Sequence, residues 1–243
     1  MSETDNRLKR QFEFCLEADK EKRIKRRTLL SDGKTAENDA EHAWHAALMC
    51  VLLSEHANEK IDVLKTVTMI LIHDIVEIDA GDTYAYDDNA KLSQRERELK
   101  AADRIFNILP DDQAKKFRAL WDEFEAGETP ESKFAHTMDN IQPAMLNNST
   151  GGKVWAENEI RLSQILKRNE ITPEGSEKLW DYSLNNFIMP NVEGKKIIED
   201  KKHQIIKESY LKIMSLYGEF LKLEFLINEA RCPFGELDNK KPL

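Results

Sequence analysis

Histidine and aspartate residues occur at three places in this sequence from which they could together hold a divalent metal ion. They are His42, the adjacent pair His73 and Asp74, and Asp139. Two imidazoles and two carboxylates leave positions on a cation open for water and a phosphate oxygen, whereas a structural zinc site would favour cysteine. The absence of a second histidine pair favours one ion, and such a donor set accepts cobalt, manganese, nickel, iron, zinc or magnesium.

The segment before His73 and Asp74 strengthens this hypothesis. A histidine-aspartate pair by itself is more typical of a surface charge beside a core histidine. Here the pair follows the apolar run at 67–72, so the two polar groups lie at the end of a buried helix, where unpaired charge is costly. A bound metal ion would satisfy them.

Two predicted helices must position these residues. Helical spacing is shown by Trp44, Ala47, Leu48, Val51 and Leu52, and again by Leu64, Val67, Leu71, Ile75 and Ile78. Asn38 and Glu41 form a capping-box pattern, which places His42 in the first turn of the first helix. Gly81 is expected to end the second helix. Glu77 then lies on the same helical face as the metal-ligand pair, and Asp82 follows in the loop.

The rest of the chain also favours helices. It has 243 residues but few glycines (9) and prolines (7), so it offers few tight turns. Helices are predicted at 92–109, 111–125, 157–168 and 197–229, and another begins at Thr129 and Pro130 with Asp139 beside an apolar stripe. We therefore expect an all-α fold, with one helical-bundle domain at 1–195 and a long amphipathic C-terminal helix and polar tail at 196–243.

Charge and composition limit the possible partners. The net charge of −9 argues against general nucleic-acid binding, and the basic stretch at 20–27 is interpreted as a solvated helix face. No apolar segment is long enough to span a bilayer, and the N-terminus has no signal-peptide pattern. Three widely spaced cysteines favour a reducing cytoplasm. The four tryptophans, Trp44, Trp121, Trp155 and Trp180, are expected to pack in the core, with a pocket wall as the alternative for Trp155.

Three segments resemble the HD-domain phosphohydrolases, and more narrowly their 5′-deoxynucleotidase branch. These are the stretches at 37–42, 72–82 and 134–140, and the similarity extends over roughly residues 8 to 150. The resemblance implies that His42, His73, Asp74 and Asp139 bind one metal ion. It further implies that Glu77 and Asp82 are catalytic, and that substrate contacts come from Arg27, Thr28 and Asp82.

The resemblance also implies an activity. This activity is removal of the 5′-phosphate of a (deoxy)ribonucleoside monophosphate by a metal-activated water. The protein is expected to be a cytoplasmic homodimer that binds a small-molecule nucleotide as its substrate. Glu77 would give a proton to the leaving ribose oxygen. Two alternatives are a phosphohydrolase acting on another small molecule or a phosphodiester, and a non-catalytic nucleotide sensor. Three residue assignments also stay open: Arg26 competes with Arg27, Asp82 could simply cap the loop, and His45 could pair with His42 on a metal.

Overall fold

Helices make up most of the described chain, which confirms the all-α prediction. The computed structural model describes residues 3–81 and 94–200, with Lys212 and Tyr217. The helices are α1 (Glu3–Ala18), α2 (Asp39–Leu53), α3 (Val63–Ile72), α4 (Glu77–Ala80), α5 (Gln94–Phe106), α6 (Asp111–Ala126), α7 (Pro130–Ser149), α8 (Lys153–Glu157), α9 (Leu162–Arg168), α10 (Thr172–Gly175), α11 (Glu177–Ser183) and α12 (Met189–Glu193). Short 3₁₀ turns cover Asp19–Arg23, Ser54–His56 and Asp74–Val76, and a π-helical turn covers Leu184–Ile188.

Helix α2 begins as predicted but buries a different face. The Asn38 side chain accepts from the Glu41 amide and the Glu41 carboxylate accepts from the Asn38 amide, which confirms the capping box. The expectation that Trp44 packs in the core is wrong, because its side chain is 63% exposed. Among the other apolar residues at helical spacing, Ala47 is buried but Leu48, Val51 and Leu52 are exposed. The buried face of α2 consists instead of small or flexible side chains, Ala43, Ala46, Ala47, Met49 and Cys50. Because α2 is apolar on nearly every side, periodicity could not decide which face packs.

The second predicted helix is interrupted at His73 and Asp74, the pair of predicted metal ligands. Helix α3 ends at Ile72, and a 3₁₀ turn leads into the short α4. The carbonyl of His73 accepts a hydrogen bond from the indole Nε1 of Trp121 at 3.1 Å, a bond to the side chain of another helix. Gly81 ends α4 at φ 77° with its amide donating to the Glu77 carbonyl, which confirms the predicted stop.

Helix α7 is the longest described helix that reaches the site. Thr129 caps it and Pro130 occupies its first turn, as predicted, and Gly127 ends α6 in the left-handed conformation. Pro143 lies inside α7 without ending it. Of the predicted stripe, Phe134, Met138 and Ile141 are buried and Met145 is half-buried, which places Asp139 beside the core.

The basic stretch at 20–27 does not form the predicted helix face. It runs through the 3₁₀ turn into strand β1 (Lys25–Leu29), which pairs antiparallel with β2 (Ala36–Asn38). The prediction was wrong because pairing with β2 outweighs local helix propensity. One consequence is that Arg26 points inward, with 13% of its side chain exposed.

Three apolar clusters surround the site. One joins α1, α5 and α6 with the turns around Ile75 and Val76; a second joins α2, α3 and α7; a third joins the end of α7 with α8, α9 and α12. The predicted helix at 157–168 is shorter and separated from α8. Trp121 and Trp155 are buried as expected, whereas Trp180 is half-buried.

The chain divides into two compact units, Met1–Ile198 and Glu199–Leu243. Most of the second unit lies outside the described residues, so the long C-terminal helix stays a prediction. None of the helices in the described ranges has the length and apolarity that crossing a membrane requires.

Candidate metal centre

Three of the four predicted ligands converge at one point. His42, His73 and Asp139 each offer a ligand atom, and these atoms lie within 4.8 Å of one another. Asp139 Oδ1 is 3.0 Å from His42 Nε2 and 3.7 Å from His73 Nε2, and the two imidazole centroids are 5.5 Å apart. Helices α2 and α7 supply His42 and Asp139, and the end of α3 supplies His73. The arrangement is a cluster of nitrogen and oxygen donors that a divalent ion can occupy.

A chain of hydrogen bonds fixes which nitrogen of His42 faces Asp139. The Gln142 amide Nε2 donates to Glu37 Oε1 at 2.5 Å and to His45 Nδ1 at 3.1 Å. Gln142 Oε1 therefore faces His42 Nδ1 at 2.8 Å and accepts a hydrogen bond from its N–H. In the neutral ring, His42 Nε2 then presents a lone pair toward a carboxylate oxygen. Two acceptors at 3.0 Å repel unless a cation lies between them, so these residues fit a metal ion.

His73 is oriented in the same manner by a backbone carbonyl. Its Nδ1 donates to the Ile70 carbonyl at 2.7 Å, which leaves Nε2 as the metal-facing nitrogen. His73 Nε2 is buried and has no well-directed hydrogen bond within the described part of the chain. Burial disfavours the charged ring, but the carboxylates of Asp74 and Asp139 outweigh it and raise the pKa of His73 well above its usual value. For His42, burial and the nearby Arg26 lower the pKa.

Asp74 adjoins the three-residue group and also carries an ion pair. Its Oδ2 lies 3.1 Å from His73 Nε2 and 2.6 Å from Arg26 Nη1. Burial alone would raise the pKa of Asp74, but His73 and Arg26 hold it below its usual range. Arg26 also lies 3.3 Å from Asp39 Oδ1 and 3.8 Å from Glu37 Oε2. The guanidinium thus balances a buried group of acidic residues behind the centre.

Asp139 is the residue shared by both histidines. Burial opposes its ionisation, but the adjacent His42 and His73 side chains and the charge of Arg168 keep its pKa well below the usual value. The Arg168 guanidinium Nη2 is 3.8 Å from Asp139 Oδ2. Asp139 is therefore held as a carboxylate, the form in which it binds a cation.

A cavity of about 350 Å³ opens beside the centre. His73, Asp74 and Asp139 form part of its wall. Three residues singled out from the sequence also line it: Glu77, which is buried, Arg27, which is exposed, and Thr28, which is buried. The fourth, Asp82, lies outside the described residues. The cavity thus brings the predicted catalytic and substrate-contacting residues, other than Asp82, next to the metal-ligand group.

Several functional neighbours were not found from the sequence. Glu37 and Gln142 orient His42, and Arg26 neutralises the acidic group; of these only Arg26 was considered, as a rival of Arg27. His45 contacts the Gln142 amide and is not in the group of His42, His73 and Asp139 that could hold a metal ion. Gln142 follows Asp139 by three residues on α7, and that helical spacing was the one signal that could have indicated it.

Comparison with known proteins identifies the family. The protein-family model described as the HD domain matches residues 18–180, about two thirds of the chain. The chain belongs to the HD-domain family. A solved structure of a predicted metal-dependent phosphohydrolase from Magnetospirillum magnetotacticum MS-1 is similar to this HD-domain chain, with 41% identity and a TM-score of 0.76. The similarity covers 81% of this chain and 98% of that one.

Curated relatives of this HD-domain chain include 5′-deoxynucleotidases. The human 5′-deoxynucleotidase HDDC2 is 27% identical over 106 residues, which are 44% of this chain and 50% of the relative. The Dictyostelium discoideum protein of the same name is 27% identical over 137 residues, 54% of this chain and 72% of the relative. The chain thus spans about half the length of the human relative it matches. These matches confirm the resemblance to the HD-domain phosphohydrolases and their 5′-deoxynucleotidase branch.

Proposed function

We propose that this protein is a metal-dependent phosphomonoesterase that removes the 5′-phosphate of (deoxy)ribonucleoside monophosphates. One observation carries the proposal: two buried imidazole nitrogens and a carboxylate oxygen converge beside a cavity that Glu77 and Arg27 also line. The similarity to a metal-dependent phosphohydrolase supports the reaction class, and the relatives named 5′-deoxynucleotidase support the substrate class.

His42, His73, Asp74 and Asp139 are the proposed ligands of one divalent ion. Such an ion would polarise the phosphoryl group and lower the pKa of a water molecule toward neutrality. The protein holds both histidines with Nε2 directed at the centre, through Gln142 for one ring and the Ile70 carbonyl for the other. Asp139 stays ionised because His42, His73 and Arg168 stabilise its negative charge.

Glu77 is the proposed general acid. It begins α4, directly after the 3₁₀ turn that contains Asp74, and this turn brings its buried carboxyl to the same cavity. A carboxylic acid in that position gives its proton to the ribose 5′-oxygen as the bond to phosphorus breaks. Asp82 directly follows Gly81 in the sequence, and we propose it as a second residue that orients the attacking water or a sugar hydroxyl.

Arg27 and Thr28 are the proposed contacts of the substrate phosphate. Both line the cavity, and a guanidinium can form two parallel charge-assisted hydrogen bonds with a phosphate. The rival Arg26 lies against the carboxylates of Asp74 and Asp39, so its charge is already balanced by the protein. Arg27 lines the cavity and is exposed, so we propose it as the phosphate contact.

A substrate panel tests this proposal. Phosphate release is measured with each divalent metal in turn on nucleoside 5′-monophosphates, a phosphodiester and nucleoside triphosphates, with Glu77→Gln as the control for contaminating phosphatases. We expect release from the 5′-monophosphates in the wild-type protein and little in the variant. Turnover of the diester or another phosphorylated molecule alone would contradict the substrate class, and nucleotide binding without turnover under any metal would favour a sensor.

The cytoplasmic location and the homodimer stay predictions. Light scattering during size-exclusion chromatography measures the mass in solution directly. A mass of twice the 28.2 kDa chain is expected, and a mass of one chain would contradict the homodimer.

A further inference from the structure

One face of α7 runs along the cavity from the metal centre to its far end. His136, Asp139, Asn140, Pro143 and Asn147 all line the cavity, at the spacing of one helical face. Asp139 and Asn147 are eight residues apart, which corresponds to about 12 Å along a helix axis at about 1.5 Å per residue. A molecule whose phosphate lies at Asp139 and which extends along this face therefore reaches Asn147.

The walls near Asn147 are apolar. The amide of Gly152 donates to the Asn147 carbonyl at 2.8 Å, which brings α8 next to the end of α7. From α8, Val154 and Trp155 line the cavity, and Pro143 lines it one turn before Asn147. Apolar and aromatic walls with a few polar groups are typical of sites that hold a planar organic group.

Asn147 differs from the other buried asparagines. Asn38, Asn140, Asn169 and Asn191 each use the side-chain amide in a hydrogen bond. Asn147 is 7% exposed, and its Oδ1 atom is buried without a hydrogen-bond partner within the described ranges. Leaving such a group unpaired costs free energy, and a ligand that pairs with it recovers that energy.

We propose that Asn147 recognises the nucleobase of the substrate, an inference that rests on the proposed function of the same cavity. A carboxamide offers one acceptor and one donor side by side, and every nucleobase has an edge on which a donor and an acceptor are adjacent. Because rotation exchanges the two ends of the amide, Asn147 pairs with more than one base. It therefore distinguishes a nucleotide from a phosphorylated sugar that has no base.

Asn147→Leu tests the proposal through a ratio of two substrates. The ratio is kcat/KM for a 2′-deoxynucleoside 5′-monophosphate divided by kcat/KM for 2-deoxyribose 5-phosphate. We expect this ratio to fall about tenfold, the effect of one lost hydrogen bond in a buried site. The melting temperature of the free variant should stay the same or rise, because leucine removes an unpaired polar group.

Asn148→Ala is the matched control. Asn148 accepts a hydrogen bond from Asn191 at 2.8 Å and is not among the residues that line the cavity, so its loss should leave the ratio unchanged. An unchanged ratio in Asn147→Leu, or an equal fall in both variants, would overturn the proposal.

Calorimetry with the four 2′-deoxynucleosides separates this proposal from the proposed function. Binding to the wild-type protein that weakens in Asn147→Leu supports base recognition even if no nucleotide is hydrolysed, in which case the proposed function alone fails. Hydrolysis of nucleotides with no effect of Asn147→Leu on either measurement overturns the role of Asn147 alone.

Discussion

Each of the two histidines of the metal centre is held in orientation by a hydrogen bond from its Nδ1 atom, the ring nitrogen that faces away from the centre. Gln142 accepts from His42 Nδ1, and the Ile70 carbonyl accepts from His73 Nδ1. The acceptor for His42 is the side chain of Gln142, which can be mutated without changing a proposed metal ligand. It therefore allows the orientation of His42 to be tested separately from metal ligation.

Gln142→Leu should weaken metal binding by about 10-fold to 100-fold, the usual effect of losing a group that orients a ligand. The reason is that His42 Nδ1 would lose its acceptor and Glu37 its donor. Calorimetric titration of the metal-stripped protein measures the affinity. His45→Leu, which removes only the other contact of the Gln142 amide, serves as the control. An unchanged affinity in Gln142→Leu would show that His42 needs no such support.

Glu77→Gln should bind metal as the wild type does and lose about 10²-fold to 10⁴-fold in kcat, because the amide cannot donate the proton of an acid. Asp139→Asn should instead lose the metal, since it removes the charge shared by both histidines. Metal content and kcat of the two variants are compared side by side. Full activity in Glu77→Gln would exclude the role as general acid.

The sequence indicated His73 and Asp74 because unpaired charge at the end of an apolar run is costly, and the family resemblance added His42 and Asp139. It did not indicate Gln142 or Glu37, whose roles arise from contacts across about a hundred residues of sequence. The sequence did not decide whether Arg26 or Arg27 contacts the phosphate. The two residues lie in strand β1, where neighbouring side chains point to opposite faces, and this strand was not predicted.

At the scale of elements, α10 lies very close to α7. A Cβ atom on Gly175 would overlap the Thr137 side-chain oxygen and the Lys133 carbonyl, both on α7. Thr137 also donates to the Thr172 carbonyl at 2.9 Å, which ties the two helices together. This contact leaves no room for a side chain.

Gly175→Ala should therefore destabilise the protein by about 1–3 kcal/mol, the usual cost of overpacking a core. Urea unfolding followed by circular dichroism measures the change. Gly151→Ala is the comparison: its backbone φ is 66°, but a Cβ there meets nothing within 4 Å, so its cost is backbone strain alone, about 1 kcal/mol. A smaller loss in Gly175→Ala than in Gly151→Ala would contradict the close packing of α10 on α7.

The helix boundaries that capping residues mark were predictable, as at Asn38, Thr129 and Gly81. The break after Ile72 was not, because the His73 carbonyl bonds to Trp121, which lies 48 residues away. Likewise, the exposed face of α2 could not be foreseen from a helix that is apolar on nearly every side.

At the scale of the whole molecule, Glu21 links stability to pH. It is buried, its Oε1 has no hydrogen-bond partner among the described residues, and burial together with the charge of Asp74 raises its pKa to about 8 from 4.5. Between these two values the folded protein holds a proton that the unfolded chain has released. The contribution of Glu21 to stability is thus present below about pH 4.5 and is lost as the pH rises to about 8.

Glu21→Gln cannot ionise and should escape this loss. The melting temperature of the variant minus that of the wild type, measured with a metal chelator present, should increase between about pH 5 and about pH 9. A difference that stays constant or decreases over this range would show that Glu21 is not buried as a neutral acid.

The all-α class followed from the scarcity of glycine and proline and from helical spacing, and it did not depend on any single residue. Most of the C-terminal segment lies outside the described residues, and its helix stays a prediction. We propose that one divalent ion makes the cavity of the first unit, Met1–Ile198, catalytic.

Metal reconstitution tests that claim most directly. Metal-stripped protein is titrated with a divalent cation while phosphate release from a 2′-deoxynucleoside 5′-monophosphate is followed. We predict no release at the start, a linear increase, and a plateau when ions and chains are equal in number. Full activity in the stripped protein, or no activity with any cation that binds, would contradict the account.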